Sequence, residues 1–222
     1  NETVIEYSIQ NARFLISKNV KAIVVACNTA SSVALKILKE TFSIPVIGMI
    51  DPGADYALKI SRNNKIGIIG TRATIANKAY SLAIKNRNPK TEVTEIACPL
   101  FVPLAEEGWI DHPATFEIAR EYLKDLKNSG IDTLVLGCTH YPILYNTIQN
   151  VIGEKVVLVD SGVASAEVVQ SEIDRIGLKT NSNSQGQVDL YVSDIPNKFS
   201  EVASLFMGKQ INFVQKIDIE SF

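Results

Sequence analysis

Apolar residues recur along this chain in two rhythms. Ile5, Ile9, Ala12 and Ile16 repeat at the spacing of one helix face and predict a helix over residues 2–18. Residues 22–26 carry the unbroken β-branched run Ile23-Val24-Val25, the pattern of a strand buried on both faces. The two rhythms then alternate. Helix 30–40 is followed by a strand from Val46 to Ile50, a turn or helix start at Asp51-Pro52-Gly53, a strand from Ile66 to Ile69 and a helix over 74–86. A strand from Glu92 to Ala97, helix 113–127, strand 133–137, helix 142–151 and a strand from Val156 to Val159 come next, then a helix aligning Ala166, Val169, Ile173 and Ile176. Gly177 to Gln187 reads as a polar loop. Beyond it, residues 188–192 alternate as a half-buried strand, before a helix at 197–206 and a strand near 211–214. Such alternation predicts βαβ units and mainly parallel sheets. The strands divide into two sheets of similar content, so the expected fold is α/β: two pseudo-symmetric three-layer domains with a cleft between them.

Two strands end alike. Ile23-Val24-Val25-Ala26-Cys27-Asn28-Thr29-Ala30 and Leu134-Val135-Leu136-Gly137-Cys138-Thr139-His140-Tyr141 each run from an apolar strand through a small residue to a cysteine, with a hydroxyl residue and a helix to follow. The C-terminal ends of parallel strands are where open α/β sheets bind ligands. A thiol there also feels the positive end of the next helix, which favours thiolate. His140 is close enough to Cys138 to share its site. Asn28, Thr29 and Thr139 add short polar side chains beside exposed N–H groups, a setting suited to a carboxylate. A single cysteine at a strand end is more often a small core residue than a catalyst; the paired context and polar neighbours favour chemistry. Two thiols on opposite sides of a small ligand suit inversion of a stereocentre, one removing a proton and the other returning it. Cys98, before Pro99, lacks such a context and reads as structural, and His112, in Asp-His-Pro, as a surface residue.

Composition narrows the alternatives. The 222 residues are 46% hydrophobic and 21% charged, with net charge −2, ordinary for a globular protein with a sizeable core. No basic run suggests nucleic acid or an anionic membrane, and no apolar run approaches the ~20 residues of a membrane helix. Three cysteines without a CxxC pair, and two histidines, argue against a disulfide framework or a structural zinc site and for reduced thiols in the cytoplasm. Ile66-Gly67-Ile68-Ile69-Gly70 lacks the full dinucleotide-binding pattern and no phosphate-binding P-loop is present, so no cofactor is expected. Asn1-Glu2-Thr3 resembles neither a signal peptide nor a translation start, so the chain is expected to begin in mid-sequence.

Ala26-Cys27-Asn28-Thr29-Ala30-Ser31 and Gly137-Cys138-Thr139-His140-Tyr141-Pro142 resemble the two cysteine motifs of the glutamate racemases, within the aspartate/glutamate racemase superfamily. Gly70-Thr71-Arg72-Ala73-Thr74 and the run Cys98 to Gly108 also follow that family's pattern in order and spacing, and the likeness extends to about Ser161. The resemblance implies cofactor-independent interconversion of L- and D-glutamate, supplying the D-isomer for peptidoglycan. Cys27 and Cys138 would be the acid/base thiols, with His140 assisting Cys138 and Glu106 tuning the site. Asn28, Thr29, Thr71, Thr74 and Thr139 would hold the substrate. It further implies a first domain of 1–54 plus 161–222, a second of 55–160, no metal, and association that admits a homodimer. The family's Asp-Ser-Gly strand and Pro-Tyr-Gly loop would precede Asn1, leaving the first domain short of a central strand and of the groups that assist Cys27. Racemisation of aspartate or a hydantoin, and amino-acid binding without catalysis, are the alternatives.

Overall fold

The computed structural model describes residues 1–222 apart from 183 and 185, so those two positions of the expected polar loop lie outside the described residues. The order is α1 (Glu2–Ser17), β1 (Ile23–Val25), α2 (Asn28–Val33), α3 (Leu35–Thr41), β2 (Val46–Gly48), α4 (Ile50–Ile60), β3 (Lys65–Gly70), α5 (Arg72–Ala76), α6 (Ala79–Arg87) and β4 (Glu92–Ala97). Then come α7 (Phe101–Glu106), α8 (Pro113–Asn128), β5 (Thr133–Gly137), a 3₁₀ turn (Tyr141–Leu144), α9 (Tyr145–Ile152), β6 (Val157–Asp160) and α10 (Ser161–Arg175). The described chain closes with β7 (Tyr191–Val192), α11 (Pro196–Met207), β8 (Gln215–Lys216) and a 3₁₀ turn (Ile219–Ser221).

The strands are parallel, as expected for βαβ units, and the larger sheet has the order β4-β3-β5-β6. Successive residues of β5 serve opposite faces, as strand geometry requires. Leu134 and Leu136 pack with Phe101, Ala119, Leu123 and Leu126 from α7 and α8, whereas Val135 joins Ile50, Ala54, Ala57 and Ile84 from α4 and α6. Helices therefore cover both faces, and β5 is wholly buried. A smaller sheet pairs β1 with β2, over a third cluster of Ala12, Ile23, Ala34, Leu38 and Val46.

The sheets are not of similar content: β1 and β2 make a pair, against four strands in the other sheet. Of the expected strand at 188–192 only 191–192 pairs, and its partner, 215–216, lies just beyond the expected strand near 211–214, which does not form. Two expected helices are divided, 30–40 at Ala34 and 74–86 where Lys78 adopts φ +50°. Capping explains several helix starts: Thr71 accepts from the Thr74 N–H, His112 from Ala114, and Asp160 from Gly162 and Val163. Among the described residues no helix is long and apolar enough to cross a membrane.

Candidate active site

Cys27 ends the segment after β1 and is the N-cap of α2, its exposed sulfur accepting the Ala30 N–H at 3.5 Å. Cys138 follows β5 directly and is buried, 6% exposed. Each thiol thus stands at the C-terminal end of a parallel strand. Burial pushes the Cys138 thiol up to about 11, opposed by the His140 and Tyr141 N–H groups and reinforced by negative charge on Cys27 and Glu106.

Cys138 has a partner chain. Its Sγ lies 3.9 Å from His140 Nδ1, and His140 Nε2 lies 3.1 Å from Glu106 Oε1 at the end of α7. An ionised carboxylate only accepts, so Nε2 carries the ring proton and Nδ1 presents its lone pair to the thiol. The arrangement sets a ring nitrogen beside the Cys138 thiol and a carboxylate on the opposite side of the same ring. Phe206 of α11 meets the imidazole edge-on, centroids 5.3 Å apart. Behind the turn, the Tyr141 hydroxyl donates to the Cys98 carbonyl at 2.9 Å, and the Phe101 and Tyr141 rings pack edge to face. Cys98 itself is fully buried, its thiol pushed up by that burial.

Three expected binding residues meet in one place. Thr29 Oγ1 lies 2.9 Å from Thr71 Oγ1 and 3.1 Å from Thr74 Oγ1, and the last two are 3.1 Å apart. Thr29 comes from the first cysteine helix and the others from the start of α5, so the triangle ties α2 to the end of β3. Thr74 is almost fully buried, making it the base of the triangle, while Thr29 and Thr71 remain partly exposed. Their hydroxyls can rotate to donate to an anion, which the α5 N-terminus also favours. Thr139 stands apart, exposed on a groove with Val24, Ala26, Met49 and Val169.

Asn28 is 2% exposed and already committed. Its Nδ2 donates to Ser161 Oγ at 3.2 Å, and its Oδ1 accepts from the Tyr80 hydroxyl at 2.7 Å. One amide N–H is left for a ligand. Tyr80 and Ser161 were not expected at the site. They lie 52 and 133 positions from Asn28, and neither occurs in a pattern that sets it apart from an ordinary helix residue.

The chain is similar to known racemases. The model of the Asp/Glu/Hydantoin racemase family matches residues 4–169. The chain is 48% identical over 221 residues to the glutamate racemase of Geobacter metallireducens, covering 99% of this chain and 82% of that protein. A glutamate racemase isoform from Bacillus anthracis superposes with TM-score 0.93 at 34% identity, over 98% of this chain and 81% of the other. The glutamate racemase of Francisella tularensis, solved in complex with D-glutamate, gives 0.92 at 34% identity, over 100% and 82%.

Proposed function

The chain belongs to the Asp/Glu/hydantoin racemase family, and on that premise we propose that it interconverts L- and D-glutamate through Cys27 and Cys138. The observation that carries this reading is the placement of two thiols at equivalent strand ends, one exposed at a helix cap and one buried with its own base. The α-proton of an amino acid is weakly acidic, so its removal needs a positioned base, and inversion needs an acid on the other face. In one direction His140 takes the Cys138 proton, the thiolate removes the α-hydrogen, and the Cys27 thiol returns a proton to the opposite face. The bond to hydrogen breaks at one sulfur and forms at the other, leaving Cys138 protonated and Cys27 as thiolate. The reverse reaction starts from that state. Glu106 holds His140 in the required tautomer. Thr29 and Thr71 bind the carboxylate, the spare Asn28 N–H adds a donor, and Thr74 supports them from below; Thr139 contributes its backbone.

This reading divides the chain into a first α/β domain of 1–54 with 161–222 and a second of 55–160, with α4 crossing the first boundary and the substrate at the cleft. The product serves peptidoglycan synthesis in the cytoplasm, where the thiols stay reduced. Cys27→Ala and Cys138→Ala should each lower two-way racemisation of glutamate by about 10³-fold or more, followed by circular dichroism. Full activity in either variant, or a parent protein that inverts aspartate or a hydantoin and leaves glutamate unchanged, contradicts the proposal.

A further inference from the structure

Tyr80 lies outside the motifs that mark the thiols, yet its contacts reach both. It is 1% exposed on α6, with its hydroxyl donating to Asn28, the residue after Cys27. Its ring fills room left by two glycines. A Cβ on Gly137, the residue before Cys138, would stand 3.2 Å from the ring, and one on Gly53 of α4 would stand 3.0 Å from the ring and the hydroxyl. The hydrogen bonds continue in one direction: Tyr80 donates to Asn28, Asn28 to Ser161, and Ser161 to the Leu136 carbonyl at 3.2 Å, two residues before Cys138. The direction fixes the amide. Flipping Asn28 would turn the Ser161 hydroxyl toward Oδ1 and leave the Leu136 carbonyl without that donor, inside a fully buried strand. Burial drives the Tyr80 phenol far above its ordinary range, so it stays a neutral donor.

We propose that Tyr80 is a positioning residue for the reaction, holding the Asn28 turn, and Cys27 with it, at a fixed distance from the strand that ends in Cys138. It touches neither thiol and acts through Asn28. Other contacts hold the far side of α2: Asn77 Nδ2 donates to Ser32 Oγ, and Ser31 Oγ donates to the Val25 carbonyl and accepts the Met49 N–H. The thiol end of α2 is held by Thr29 against Thr71 and Thr74 and by Asn28, whose side-chain partners among the described residues are Tyr80 and Ser161; freeing Asn28 leaves the threonine contacts as the remaining side-chain ties at that end. A shift of ~1 Å in a reacting group can cost about 10²-fold in rate.

The inference rests on the two-thiol reading, and the test separates them. In the full-length protein, Tyr80→Phe keeps the ring between the glycines and removes only the donor. We expect kcat to fall at least about tenfold, KM to change less than about threefold, and the melting temperature to move by no more than a few degrees. The decisive readout is the primary isotope effect with α-deuterated glutamate in each direction. A misplaced Cys27 makes its own proton abstraction more rate-limiting, so the effect rises for the enantiomer it deprotonates and not for the other. A general loss of folded enzyme lowers both rates and changes neither isotope effect. Ser161→Ala provides a second arm: if both act through Asn28, the double variant loses no more than about threefold beyond the worse single variant. Unchanged kcat in Tyr80→Phe, unchanged isotope effects in both directions, or fully multiplicative losses overturn the proposal. A parent protein unable to racemise glutamate overturns the functional reading instead.

Discussion

Cys27 and Cys138 occupy equivalent strand ends but meet different surroundings, and the difference is measurable. Cys27 is open to solvent, whereas burial pushes the Cys138 thiol up to about 11. Iodoacetamide should therefore label Cys27 first in the ligand-free protein, as peptide mass spectrometry would show. Raising the pH toward the Cys138 value of about 11 increases its thiolate fraction, so its labelling rate should climb by up to about tenfold per pH unit. Preferential labelling of Cys138 at neutral pH would contradict the assigned environments. His140→Asn removes the base while keeping a polar side chain; kcat should fall by about 10²–10³-fold with a smaller change in KM. The cysteines and this histidine were legible in the sequence because each sits in a short local pattern. The His140–Glu106 pairing at 3.1 Å joins residues 34 apart, and no local pattern announces it.

At the scale of elements, close packing around β5 sets where Cys138 lies. A Cβ on Gly137 would stand 2.7 Å from the Ile69 carbonyl oxygen, which belongs to the neighbouring strand and cannot move aside easily. Gly137→Ala should lower stability by about 1–3 kcal/mol and activity by more than that stability loss explains, as paired thermal melts and kinetics would reveal. Asp132, just before β5, receives the Ser61 hydroxyl and the Arg62 and Asn63 N–H groups. Partial burial acts to raise its carboxyl, but these donors outweigh it and hold the group below the usual range. A depressed folded value contributes stability above the ordinary carboxylate range, and that stability is lost as pH falls through the folded value. Asp132→Asn should thus cost about 1 kcal/mol at pH 7, with the difference from the parent vanishing in strong acid.

The sequence pattern located β4 and β5 to the residue: β5 is a buried apolar run, whereas β4 mixes polar Glu92, Thr94 and Glu95 with Val93, Ile96 and Ala97 between the Asn88-Pro89 turn and Pro99. Helix α7 was missed. Pro103 sits in its first turn, where a missing N–H costs nothing, yet Pro99 and Pro103 together read as breakers. The expected strand at 188–192 shrank to 191–192, since alternation marks a face suited to pairing but does not supply a partner.

Across the described residues, the two thiols follow strands with different numbers of neighbours. The four-stranded sheet is clothed on both faces by two clusters, whereas β1 has β2 as its described partner and leaves Val24 41% exposed. Amide hydrogen exchange should show Ile68, Ile69, Val135 and Leu136 opening only with global unfolding, and β1 with α2 exchanging through smaller local openings. Equal protection in both would contradict this ranking. The α/β class and parallel strands were legible from alternation alone. Alternation suggested two sheets of similar content and did not give the division into two and four strands; the resemblance implied a first domain short of a strand. The central claim is that hydrogen leaves one face of the substrate to one sulfur and arrives on the other face from the second. Initial turnover of each glutamate enantiomer in D₂O, followed by mass spectrometry of the separated enantiomers, tests it most directly. With two bases, the product carries deuterium at the α-carbon while the remaining substrate stays protiated in both directions. Early deuterium in recovered substrate at the same rate as in product would point to a single base and contradict it.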